Sequence, residues 1–149
     1  MKTFRTLVCA AMLLSAASPA LAADQIFHPA ENEVILETFD GRAFWELQAV
    51  CAGYHGATAN YFASRGDTAQ ANASEAAGVK AFDAAVRQIR HDRGVDANAA
   101  TKLAEPIVQV GGRVTAKGLR EDGMAANGQW NYWRSFCIDA DVAFNRASH

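Results

Sequence analysis

LQAVCAGYHGATANYFAS, Leu47 to Ser64, contains no Asp, Glu, Lys or Arg, although charged residues flank it on both sides. Starting from Phe44, residues recur at Leu47, Cys51, Tyr54, Thr58 and Tyr61. That alternation of three and four marks one face of an α-helix. The opposite face carries Ala49, Ala52, Gly53, Gly56, Ala59 and Ala63, which are small rather than charged. A helix with one bulky and one smooth side can be packed on both. The stretch therefore predicts either a central helix or one whose Ala/Gly face meets a second subunit, with those six residues as the interface candidates. A membrane span is not expected. Gln48, His55 and Asn60 interrupt the stretch, and Ala and Gly are too weakly apolar to favour insertion.

Upstream, Asp40-Gly41 reads as the helix entry, with Asp40 placed to cap the free amides of the first turn. Asp24 to Asp40 is acidic and broken by Pro29; Val34, Ile35, Leu36 and Phe39 in it predict a short helix or an arm laid along the core. Residues 1–22 match a three-part secretory signal: basic Lys2 and Arg5, an apolar run TLVCAAMLL, and Ala20-Leu21-Ala22 at the cleavage position. The apolar run is too short to cross a bilayer. The expected mature domain is 23–149, exported to the periplasm or beyond, with no stable membrane insertion after cleavage. Without Lys2 and Arg5 the chain has 12 basic and 16 acidic residues, a net charge of about −4. Nucleic acid, which requires a basic face, is not an expected partner.

Downstream, Arg65-Gly66-Asp67 is a turn: glycine ends one helix, and Asp67 or Thr68 caps the next. A cell-adhesion reading of this tripeptide is unnecessary. The second helix is expected over about Thr68 to His91, with Val79, Phe82, Val86 and Ile89 facing inward. Its terminal Arg87, Arg90, His91 and Arg93 complement the helix dipole. Asp96 caps a third helix, with Leu103, Ile107, Val110 and Val114 as its expected inner face. Pro106 and Gly111-Gly112 are expected to bend or loosen it. The fourth helix is expected over about Gln129 to Arg146, with Trp130, Trp133, Cys137, Ala140 and Phe144 on its apolar face.

Four helices with short connections predict an all-α, up-down four-helix bundle with an N-terminal extension, in which the first helix neighbours the last. Loss of Cys9 with the signal would leave Cys51 and Cys137, an even pair in an oxidising compartment. Both fall mid-helix on apolar faces, so a disulfide joining helices 1 and 4 is predicted.

The hairpin 59–78 resembles one tetratricopeptide unit at Ala59, Phe62, Gly66-Asp67, Ala71 and Gly78. It departs from that pattern at His55, Glu75 and Asp83. No second copy follows, and repeat units need neighbours to bury their faces. More broadly, the chain resembles small exported Ala-rich helical bacterial proteins of unassigned activity.

No nucleophile elbow, phosphate loop, zinc spacing or haem-attachment motif is present. No metal and no cofactor is expected, nor is an assembled set of acid, base and nucleophile, so the expected role is non-enzymatic. The first expectation is action through protein binding, to an envelope protein or to a second copy along the small face of helix 1. The alternative is a small-ligand carrier with an aromatic pocket between helices 1 and 4. Its candidates are Tyr54, His55, Trp130, Trp133 and Arg134, although the three-residue spacing of the two tryptophans also suits a plain core position.

Overall fold

The computed structural model describes residues 23–31 and 34–147; the predicted signal segment lies outside them. After a short 3-10 helix, Val34–Phe39, come α1 Phe44–Ser64, α2 Thr68–Arg93, α3 Ala97–Glu121 and α4 Gln129–Ala147. The connections are short and successive helices reverse direction, giving the up-down bundle. Among the described residues there is no strand, only an isolated bridge between Ile26 and Ala43. No described helix is long and apolar enough to cross a membrane.

Local chemistry sets the helix ends. Gly66 and Gly94 adopt left-handed φ of 77° and 62°, which glycine reaches without a Cβ penalty. The Asp67 carboxylate accepts from Gln70 N–H at 3.1 Å, and that of Asp96 from Ala99 N–H at 2.8 Å. The start of α1 differs from expectation. Its N-cap is Ala43, with no side-chain cap. Backbone from the N-terminal arm takes over the capping role, since Phe44 N–H donates to the Gln25 carbonyl at 2.8 Å. Asp40 instead meets His28 Nδ1 at 2.7 Å.

The extension is both an arm and a short helix. Its Phe27 and Leu36 are fully buried, and burial of each such side chain contributes about 1.5–3 kcal/mol. At its start, Asp24 binds the Arg93 guanidinium bidentately, with 2.7 Å from Nε to Oδ1. Gln25 N–H donates to the buried Asp92 carboxylate at 2.9 Å. Asp92 also accepts from Gln88 at 2.8 Å and lies 2.9 Å from His91 Nδ1. The arm is thus tied to the C-terminal end of α2.

α1 runs through the centre and packs against α2, α3 and α4. On one side Phe44, Leu47, Val50, Cys51 and Tyr54 join Phe27, Leu36, Phe39, Phe136 and Cys137 in one cluster. Aromatic edges tie this cluster together, with Phe39 to Phe136 at 4.9 Å and Phe27 to Phe44 at 5.3 Å between ring centres. On the other side Trp45 and Ala49 pack with Ala85, Ile89, Ala100 and Ala104 of α2 and α3. Cys51 and Cys137 form a disulfide, their Cα atoms 5.5 Å apart, linking α1 to α4.

The smooth face of α1 is mostly spent inside the molecule. Ala49, Ala52 and Gly53 are buried, so they are not available to a second subunit. A Cβ on Gly53 would sit 2.0 Å from the Val108 carbonyl oxygen and 2.5 Å from Gly112 N. A Cβ on Gly111 would sit 2.2 Å from the Val50 carbonyl oxygen. The two helices therefore meet backbone to backbone, with glycine supplying the clearance. The inner faces of α2 and α3 keep Phe82, Val86, Ile89 and Ile107 as expected, but small residues supply much of the rest. Ala81, Ala84, Ala85 and Ile89 turn inward on α2, and Ala100, Ala104, Gly111, Thr115 and Gly118 on α3. Val79 is 56% exposed, Leu103 37% and Val110 42%. α3 continues as one helix through Pro106, which lies on its exposed side.

Candidate functional site

α2 and α4 are set apart on either side of α1, leaving a cleft of about 530 Å³ between them. α1 supplies the floor through Gln48, Cys51, Tyr54, His55, Thr58 and Phe62; α2 supplies one wall through Ala73, Ser74, Ala77, Lys80 and Ala81. α4 supplies the other through Trp130, Arg134, Cys137, Ile138, Asp141 and Val142. The α4 residues follow helical spacing, so they form a strip along the helix axis.

The floor is ordered by a few directed contacts. Trp130 Nε1 donates to the buried Thr58 hydroxyl at 3.1 Å. The Tyr54 and Trp130 rings lie 6.3 Å apart, and His55 stands edge-on to Tyr54 at 4.9 Å. α2 passes close to this point at Gly78, where a Cβ would lie 3.2 Å from His55 Cβ. Gln48 is buried and reaches toward the Ala140 carbonyl at 3.5 Å.

Burial dominates the electrostatics. It pushes the Tyr54 phenol up to about 12, against the opposing effects of Thr58 and the Arg134 charge. It pulls the His55 imidazole below its usual range, although Asp141 acts the other way. His55 is thus neutral at neutral pH. At the mouth, Lys80 Nζ pairs with Asp141 Oδ1 across the cleft at 3.4 Å. Arg134 is exposed and has no ion pair among the described residues.

Four of the five ligand candidates, Tyr54, His55, Trp130 and Arg134, come together at this cleft. Trp133 does not line it; its ring packs against Phe136 at 5.2 Å and Tyr132 at 5.4 Å. Of the six interface candidates, Gly56, Ala59 and Ala63 remain open. They line a second groove of about 420 Å³ between α1 and α2, with Asn60, Asn72 and Glu75. Sequence reasoning missed the α2 wall. Its signal is a run of small residues at helical spacing, Ala73, Ala77 and Ala81, less conspicuous than the bulkier Val79. It also missed Ile138, Asp141 and Val142, which continue the strip begun by Trp130 and Arg134. Among the described residues no group of three or more His, Cys, Asp or Glu is placed to hold a metal. Comparison with protein-family models, curated proteins and solved structures found no match to this chain.

Proposed function

We propose that this is an exported helical bundle of the periplasm or extracellular space that binds a small molecule, without chemically altering it, in the cleft between α2 and α4. The observation that carries the reading is the cleft itself: about 530 Å³, with a mainly apolar lining, an aromatic floor and a few polar groups at fixed positions. Ligand sites commonly have this size and composition. The disulfide suits an oxidising compartment. The test is native mass spectrometry of the protein recovered gently from the cell envelope, with tryptophan fluorescence across a ligand panel. A bound small molecule that Ala77→Phe expels from a folded protein is the expected result. Neither an adduct nor any fluorescence response from folded protein would overturn the reading.

A second reading, self-association or docking of an envelope protein, is favoured by Gly56. It is exposed, and a Cβ there would meet nothing within 4 Å. Gly56→Leu therefore leaves the fold intact while blocking the second groove. A concentration-dependent mass that this variant abolishes supports self-association; a monomer at every concentration removes it.

A further inference from the structure

The cleft is not electrically balanced. Four polar groups decide its charge: Lys80, Asp141, Arg134 and His55. Lys80 and Asp141 cancel across the mouth at 3.4 Å. Burial keeps His55 neutral. Arg134 is left as a solvent-facing cation without a partner among the described residues, and a guanidinium presents a planar fork suited to a carboxylate.

The same wall of the cleft carries unspent apolar surface. Ile138 is 51% exposed and Val142 58%, about one and two helical turns further along α4 from Arg134. The distance along the axis from Arg134 to Val142 is about 12 Å at 1.5 Å per residue. Across from them α2 offers Ala77 and Ala81, which leave room instead of filling it. A cation at one end of an apolar strip between two helices is complementary to an elongated amphipathic anion, because one end needs charge and the length needs hydrocarbon.

Resting on the ligand-binding reading above, we infer that the cleft takes a carboxylate with an extended apolar chain, its headgroup on Arg134 and its chain along Ile138 and Val142. A cation or a neutral polar solute would leave Arg134 unpaired and the strip wet.

The experiment is titration calorimetry with decanoate, decanol and decyltrimethylammonium, each below its micelle concentration, against the wild type, Arg134→Gln and Ala77→Phe. Arg134 is exposed and unpaired, so its replacement does not threaten the fold. Decanoate is expected to bind at least ten-fold more tightly than decanol, and the cation to give no measurable binding. Arg134→Gln should bring decanoate down to the level of decanol and leave decanol unchanged. Ala77→Phe should abolish both. Equal affinity for decanoate and decanol, or an Arg134→Gln variant that keeps the difference, overturns the headgroup assignment while leaving cleft binding in place. Decanoate binding that survives Ala77→Phe puts the site elsewhere and overturns the inference. No binding of any of the three to folded, disulfide-intact protein overturns this inference; the wider ligand reading then falls only if its own panel and adduct search also fail.

Discussion

Adding one methyl group to α1 should have opposite effects three residues apart. At Gly56 a Cβ meets nothing within 4 Å, so Gly56→Ala only gains helix propensity, about 0.8–1 kcal/mol. At Gly53 the same gain is outweighed. The new Cβ would lie 2.0 Å from the Val108 carbonyl oxygen and 2.5 Å from Gly112 N, both backbone atoms that cannot rotate away. Restoring ordinary contact requires α3 to back off by roughly 1.5 Å, given optimal separations near 3.5 Å. A gap of even 0.5–1 Å forfeits about a quarter to a half of each dispersion contact, and the loss extends along the whole α1–α3 face. Overpacking typically costs about 1–3 kcal/mol, and a backbone obstruction belongs at the upper end. After the propensity gain, Gly53→Ala should lose about 2 kcal/mol. Urea unfolding followed by circular dichroism, with the disulfide intact, should show Gly56→Ala moving the midpoint up and Gly53→Ala moving it down. Gly111→Ala should resemble Gly53→Ala, and the double variant should cost less than the sum, because one separation of the helices relieves both clashes. A Gly53→Ala protein as stable as the wild type would refute the close approach of α1 and α3.

Cys137→Ser opens a loop of sequence separation 86, for which chain entropy gives about 4–5 kcal/mol as an upper figure. The melting temperature should fall by on the order of 10 °C or more, and thiol labelling of the denatured wild type with peptide mapping should find Cys51 and Cys137 unreactive. Two free thiols would refute the bridge. Acid unfolding should occur in two separable windows. The folded pKa of His55 lies below 6.5, so its effect is absent above that pH. As pH falls from 6.5 through the folded value, the unfolded chain takes up the proton first and stability declines. Asp92 behaves as a held carboxylate. Burial raises its pKa, but bonds involving His91, Gln25 and Gln88 outweigh this and leave it below 3.8. Its contribution is fully present above 3.8 and is lost as pH falls through the lower folded value. His55→Gln should erase only the upper window and Asp92→Asn only the lower, as read from melting temperature against pH; a single shared transition that neither variant alters would refute both assignments.

The parts of the fold that were legible in the sequence are those governed by local chemistry. Gly66, Asp67 and Asp96 mark helix ends because left-handed glycine and capping carboxylates act within a few residues. The pairing of Cys51 with Cys137 was legible because only two cysteines were expected to remain and each sat on an apolar stripe. The inner faces of α2 and α3 are legible in part: Phe82, Val86, Ile89 and Ile107 pack inward as their spacing predicts. Bulk alone does not mark burial, since Val79, Leu103 and Val110 turn outward while alanines and glycines turn in. At the Gly53–Gly111 contact the physical reason is clearance: where α3 meets α1 backbone to backbone there is no room for Val or Leu. The cap on α1 is not legible for a different reason. Gln25 reaches Phe44 from nineteen residues away, and no local pattern announces such a contact. For the site, Tyr54, His55, Trp130 and Arg134 were legible as aromatic and polar groups on facing helices, whereas the α2 wall is made of alanines, which carry no chemical signal of their own.

The cleft follows from the size of residues on the two faces of α1. Glycine and alanine draw α3 and α2 inward at Gly53, Gly111 and Gly78. On the other face Tyr54 and Thr58 meet Trp130, and the disulfide fixes α4 at Cys137. Around Tyr54 and Trp130 the two rings hold α4 off α1 while α2 lies close to α1 at Gly78, so α2 and α4 are left apart there and are bridged by the Lys80–Asp141 pair. The alanines at 73, 77 and 81 keep the resulting space open where Leu or Phe would close it. If that space were mere packing slack, filling it would cost the protein nothing. Ala77→Phe distinguishes the two cases, because it adds buried apolar surface to a half-buried position facing open volume. In the absence of ligand it should stabilise the fold by about 0.5–2 kcal/mol, as cavity-filling substitutions do. Loss of ligand binding together with that gain would mean that the open cleft is kept at the expense of stability, as expected of a binding site. A destabilised Ala77→Phe would mean that the cleft is narrower than 530 Å³ implies and too small to hold a ligand.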